Sequence, residues 1–255
     1  MIERVAAEIS ERPVEDAGPP RFEIREWRER FGISAGITGA RDDFDLGLWG
    51  PKPAATIARN WQAFQNSFSP HFGSFVVGHQ QHGTTIGRCN GAQGGLSVRQ
   101  GLDGHVTSQR GVLLTVLVAD CVPVYLYDPT SSTIALLHAG WRGIAEGILE
   151  AGVEQLGTIG DSGCERFVMH CGVSVCGRCY EVGPEVFEKV LGVGKDAPGN
   201  LDLRAALADR AFRLGIERVT VSSRCTVHDS GGFHSFRARR EGAGRMAAYL
   251  GMPLS

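Results

Sequence analysis

Two histidines and one cysteine stand where a chain turns: His82 before Gly83, Cys121 ahead of Val122-Pro123, and His138 two residues before Gly140. Imidazole nitrogen and thiolate sulfur are preferred ligands of Zn²⁺, and three protein ligands with a fourth position open is the pattern of a catalytic zinc. The same trio is the ligand set of a mononuclear copper centre. It also suits a metal-free cysteine hydrolase or amidase in which His138 or His82 activates Cys121, for instance on cell-wall peptide precursors. The plain alternative is a buried thiol beside core histidines, in a non-enzymatic binding module. A second pair, Cys176-Gly177-Arg178-Cys179, has the CxxC spacing of zinc and redox motifs. No second CxxC accompanies it, so the sequence alone does not close a four-thiolate site.

The elements that must hold these residues are short and mixed. Gly111 to Ala119 and Val122 to Tyr127 are nearly continuous apolar runs rich in β-branched residues, as expected of strands buried on both faces, with Asp120-Cys121 between them. Thr133 to Leu137 predicts a further strand that delivers His138, paired as a hairpin through the turn residues Asp128 to Ser132. Ser74 to Val77 predicts the strand that leads to His79-Gln80-Gln81-His82. Helical spacing predicts helices over Ala54 to Phe68, Ile144 to Leu156, Pro184 to Leu191 and Leu203 to Leu214, and a closing helix over Arg239 to Leu250. Phe22 to Gly50 reads as strands and turns, and Phe167 to Met169 and Arg218 to Val221 as strands. Residues 1–21 read as a loosely attached leader, ended by Pro19-Pro20, and residues 22–255 as one catalytic domain. Because strands and helices intermix without regular βαβ alternation, the fold class expected is α+β, as one mixed domain rather than a doubly wound sheet.

Bulk properties narrow the function classes. With 26 Lys+Arg against 28 Asp+Glu the formal net charge is −2, so no basic field is available for nucleic acid or an anionic membrane surface. No apolar run reaches the roughly 18 residues of a membrane helix, and the first residues lack a signal-peptide core. Seven cysteines, an odd number without a secretory signal, point to reduced thiols or metal ligands in the cytoplasm.

The local texts around the trio are more specific than the residue types. Ala119-Asp120-Cys121-Val122-Pro123-Val124, His138-Ala139-Gly140-Trp141-Arg142-Gly143 and Gln80-Gln81-His82-Gly83 resemble signature blocks of the laccase-domain family, also called polyphenol oxidoreductase-like proteins. Cys179-Tyr180-Glu181-Val182-Gly183, Cys225-Thr226 and Phe236-Arg237 extend the match in the family's order from Gly32 to Arg245. The chain departs from the pattern at His79, at the CxxC pair, and at Arg237-Ala238-Arg239-Arg240, where two adjacent arginines are typical.

The resemblance implies a single mixed layered α/β sandwich domain of three or four layers, with the metal site at strand ends and zinc on His82, Cys121 and His138. It also implies phosphorolysis of purine nucleosides (adenosine, inosine, guanosine, methylthioadenosine), with adenosine deamination as a second activity. On that reading Cys121, His138 and His82 serve catalysis through the metal, and Asp120 shuttles a proton, orients an imidazole or only caps a turn. Arg142, Arg237 and Gln80 bind substrate, a guanidinium gripping phosphate at two points where lysine cannot. The partners expected are a small nucleoside and phosphate, with neither nucleic acid nor membrane, on a monomer or weak homodimer. Copper-dependent phenol oxidation is the alternative the family name suggests. The chain has eight histidines and no H-x-H pair, which argues against a multicopper centre. It also lacks the H-x-E block of the zinc nucleobase deaminases.

Overall fold

The structure is a computed structural model that describes residues 5–90, 94–229 and 232–254. Two seven-stranded mixed sheets pack face to face, with helices on their outer sides. One sheet runs, in spatial order, Ala7–Ile9, Arg218–Ser222, Val168–Cys171, Val122–Asp128, Thr133–Ala139, Gly104–Thr107 and Ile86–Arg88. The other runs Arg12–Pro13, Arg21–Glu23, Ser34–Thr38, Met246–Gly251, Val112–Val118, Ser74–His79 and Gly95–Gln100. The mixed layered α/β sandwich expected from the sequence is the fold observed.

The continuous apolar runs are explained by burial on both faces. Side chains alternate across a strand. In Val122–Asp128, Val122, Val124 and Leu126 face the helices Ile148–Gly160, Pro184–Leu191 and Leu203–Arg213, while Tyr125 and Tyr127 enter the core between the sheets. In Val112–Val118, Leu114, Val116 and Val118 share that central core, and Leu113 and Leu117 meet the helix Ala54–Phe68 through Trp61 and Phe64. Among the described residues no helix is long and apolar enough to cross a membrane.

Several elements differ from expectation. The closing helix over Arg239 to Leu250 is instead a short helical turn, Phe236–Arg239, followed by the strand Met246–Gly251. That strand lies antiparallel to both Ser34–Thr38 and Val112–Val118 in mid-sheet. All six of its residues are buried, and an all-apolar stretch carries no period by which a strand can be told from a helix. The helix expected over Ile144 to Leu156 is two, Trp141–Glu146 and Ile148–Gly160, broken where Gly147 takes φ 93°. Within Phe22 to Gly50 a seven-residue helix, Arg25–Phe31, buries Trp27 and ends on Gly32 at φ 67°.

The first twenty-one residues, expected to hang loosely, contribute two short strands, Ala7–Ile9 and Arg12–Pro13, that pair with the two sheets, and residues 1–4 lie outside the described set. Ala7–Ile9 lies parallel to Arg218–Ser222. Just beyond it Glu11, 1% exposed, accepts from His170 Nε2 at 3.0 Å and from Ser222 Oγ at 2.7 Å. Burial pushes the Glu11 carboxyl up, but the hydrogen bonds and charge of His170 and the Ser222 hydroxyl outweigh it and hold the group below its usual 4.5. Glu11→Ala should cost about 2–4 kcal/mol of stability, read as a lowered urea midpoint, because it strands a buried imidazole and hydroxyl. Since the folded value is depressed, the contribution is present above pH 4.5 and is lost as pH falls through that depressed value.

Candidate metal centre

Cys121 and His138 meet through strand register. The hairpin of Val122–Asp128 with Thr133–Ala139 sets Pro123 opposite His138 and Val122 opposite Ala139. Cys121 thus arrives beside the end of its partner strand, in the three-residue link by which the chain passes from one sheet to the other. His82 comes from the other sheet, in the turn after Ser74–His79, with its backbone in the left-handed region at φ 62°. The ligand-competent atoms of His82, Cys121 and His138 all lie within 4.8 Å of one another. His138 is buried, Cys121 half-buried and His82 exposed, so the group is open on one side. Gly140 keeps the space clear: a Cβ there would come within 3.1 Å of both Cys121 Sγ and the His82 ring.

Asp103 organises this cluster and was not singled out in the sequence. It precedes the strand Gly104–Thr107, whose pairing sets Gly104 opposite Leu137 and hence Asp103 beside His138. The Asp103 carboxylate, 1% exposed, accepts from the backbone N–H groups of Gln81, His82 and Gly83, each at 2.9 Å. It also accepts from His138 Nδ1 at 2.9 Å. One carboxylate therefore shapes the His82 turn and holds the His138 Nδ1–H, so that Nε2 faces Cys121, the arrangement that orients imidazole ligands around zinc. Three donors of the right softness, a supporting carboxylate and a cradle that a single methyl group would fill suit a small thiophilic cation.

The electrostatics agree with a ligand set. Burial raises the Cys121 thiol, but the His138 charge and the hydrogen bonds of His138 and His82 outweigh it and bring the thiol down to about 6. Burial lowers His138, but the Cys121 charge and the Asp103 carboxylate outweigh that and raise it to about 9. Asp103 is pushed up by burial yet held below the usual carboxylate range by His138 and the N–H groups of Gly83 and Gln81. Between these values Cys121 is already a thiolate and His138 still carries the proton that a metal must displace. Apparent zinc affinity should accordingly rise about tenfold per pH unit from 6 to 9, steepen below 6, and level off above 9. Zinc protection of the Cys121 peptide from alkylation, titrated at each pH, measures this; a flat profile contradicts it.

The cluster forms part of the wall of a cavity of about 500 Å³. Arg142, Arg237, Arg240 and Arg245 line it, and none of them is ion-paired with a carboxylate among the described residues. Arg142 stacks over Trp141, with its guanidinium carbon 4.5 Å from the ring centre. Arg237 lies over Tyr180 at 5.0 Å and donates to the Glu181 carbonyl. Trp49, half exposed, stacks on His79 with ring centres 4.3 Å apart.

Two further residues named from the sequence sit here with their polar atoms engaged. The Gln80 amide is held by Leu117, donating to its carbonyl at 2.8 Å and accepting from its N–H at 2.7 Å. Asp120, 8% exposed and at φ 88°, accepts from the Thr226 hydroxyl and from the Arg237 N–H, both at 2.5 Å. Its contacts are with Thr226 and the Arg237 turn, and the carboxylate that touches the His138 imidazole is Asp103.

The family described as multi-copper polyphenol oxidoreductase laccase matches residues 28–253. The purine nucleoside phosphorylase ORF3 of Streptomyces griseus is 33% identical over 234 residues, which cover 86% of this chain and 89% of that one. The purine nucleoside phosphorylase SCO2081 of Streptomyces coelicolor is 34% identical over 212 residues, 80% of this chain and 85% of that one. In fold, the crystal structure of YlmD from Geobacillus stearothermophilus superposes with a TM-score of 0.85 at 24% identity, over 94% of this chain and 98% of that one. The match spans most of the chain and includes the sequence blocks around His82, Cys121 and His138, and the chain belongs to the multi-copper polyphenol oxidoreductase laccase family.

Proposed function

We propose that the protein is a zinc-dependent purine nucleoside phosphorylase, acting on adenosine, inosine, guanosine and methylthioadenosine, with adenosine deamination as a second activity. The observation that carries this reading is a single cavity in which three ligand-competent side chains, four arginines without carboxylate partners among the described residues, and exposed aromatic faces converge. Its volume suits a nucleoside with phosphate. The names of the Streptomyces relatives support the purine nucleoside phosphorylase part of this reading.

His82, Cys121 and His138 would hold the ion, and Asp103 would orient His138. Zinc bound there supplies Lewis acidity toward an oxygen or nitrogen of the substrate. In phosphorolysis a phosphate oxygen bonds to C1′ of the ribose as the bond from C1′ to the purine nitrogen breaks, and the departing base takes up a proton. Arg142 and Arg237 bind and orient the phosphate, and Asp120 holds the backbone from which Arg237 projects. Burial and the Cys121 charge push the Tyr180 phenol up to about 12, so it stays protonated and can donate to the leaving base. Arg142→Ala should raise the KM for phosphate about 10–100-fold, with a smaller change for nucleoside; equal changes in both would contradict its assigned role.

Phenol oxidation on several coppers fits less well. Among the described residues only two groups of three or more His, Cys, Asp or Glu side chains could hold a metal, and no histidine-rich group adjoins the cavity trio. The deciding experiment incubates metal-quantified protein with adenosine, with and without phosphate, and follows adenine and inosine separately. Adenine that appears only with phosphate is the expected result. Absence of turnover on every purine nucleoside would overturn the assignment.

A further inference from the structure

The CxxC pair acquires partners in three dimensions. Cys225 and His228, from a C-x-x-H turn after the strand Arg218–Ser222, stand against Cys176 and Cys179. The four ligand atoms lie within 4.8 Å of one another. His228 Nδ1 is 3.4 Å from Cys179 Sγ and 3.8 Å from Cys176 Sγ. A tetrahedral ion with sulfur at about 2.3 Å and nitrogen at about 2.0–2.1 Å holds its ligand atoms roughly 3.5–3.8 Å apart. The spacing is therefore that of a coordination shell lacking only small adjustments.

The backbone around the four residues is built to the same end. Cys225 Sγ accepts from the N–H of Cys176 at 3.3 Å and of Val227 at 3.4 Å, the N–H···S support that a metal thiolate receives from its surroundings. The CxxC turn is closed by Cys179 N–H donating to the Cys176 carbonyl at 3.0 Å. The two segments are joined by Thr226 N–H donating to the Ser174 carbonyl at 3.1 Å. Neither segment is long enough to be rigid alone, yet both border the cavity wall through Val175, Tyr180 and the Thr226 contact to Asp120.

We propose that Cys176, Cys179, Cys225 and His228 form a second zinc site, closed and structural, that clamps the loop bearing Tyr180 to the turn that supports Asp120. Three thiols lose their protons to solvent as the ion binds, no bond is oxidised, and no coordination position remains for substrate. The proposal stands apart from the function assigned to the cavity.

Its test uses full-length protein purified under reducing conditions, equilibrated with Zn²⁺ alone and desalted. Two zinc ions per chain are expected, falling to one in His228→Ala and in a Cys176→Ser, Cys179→Ser double variant, with zinc protection of Cys121 retained. The melting temperature should drop by about 5–10 °C in the double variant. With Co²⁺ as the probe, the thiolate charge-transfer band should fall to roughly one quarter when the three-thiolate site is removed and the one-thiolate site remains. A single zinc ion per wild-type chain that is the one protecting Cys121, an unchanged stoichiometry in the variants, or a Cys176–Cys179 disulfide in the reduced preparation would overturn it. Because His228 is exposed, its alanine variant keeps the test decisive even if the double variant fails to fold.

Discussion

Replacing Cys121 by alanine is expected to remove the metal from the cavity and to lower turnover of adenosine with phosphate by about 10²–10³-fold, the several kcal/mol that a bound divalent ion contributes to a charged transition state. The fold should survive, since Cys121 is a half-buried residue in a link between strands rather than part of the packed core. Serine in the same place is the sharper variant. It keeps the volume and a weak oxygen donor, so residual metal binding and activity should fall together. The measurement is metal content beside kcat/KM on the same preparation. Loss of activity with zinc still protecting the remaining ligands would instead favour a thiolate nucleophile, for which the lowered Cys121 pKa is equally suited.

Asp103→Asn should be nearly as damaging, although the residue touches neither the cavity nor, on this reading, any substrate atom. Its carboxylate serves four donors at once, and an amide presents only one acceptor oxygen to them. Metal affinity is expected to fall about 10–100-fold and activity with it. Asp103→Ala leaves the donors of a nearly inaccessible turn unpaired and should also cost about 3–5 kcal/mol of stability. A positioning role predicts that excess zinc restores much of the turnover of the Asn variant. A role confined to folding predicts lowered stability with affinity unchanged.

The convergence of His82, Cys121 and His138 was legible because ligand-competent residue types at strand ends and tight turns can be read from local text. Asp103 was not, because its role arises from register. Only the pairing of Gly104 with Leu137 brings it to His138, and no residue near Asp103 announces that partner. The same holds for the CxxC pair, whose completing residues Cys225 and His228 follow almost fifty positions later. Strands buried on both faces could be expected from continuous apolar runs, whereas Met246–Gly251 reads as helix, because burial on both faces removes the alternation that marks a strand. Likewise the first residues carry little hydrophobic pattern. Their attachment rests on backbone pairing and on one buried carboxylate, Glu11, and neither leaves a periodic signature.

The account depends most on two imidazoles and one thiolate converging on an ion that remains accessible from the cavity. Anomalous diffraction at the zinc edge, on crystals of protein purified without chelator, examines this directly. A peak about 2.3 Å from Cys121 Sγ and about 2.0–2.1 Å from one ring nitrogen each of His82 and His138 is the expected result. Zinc-loaded crystals with no anomalous peak among those three side chains would contradict it.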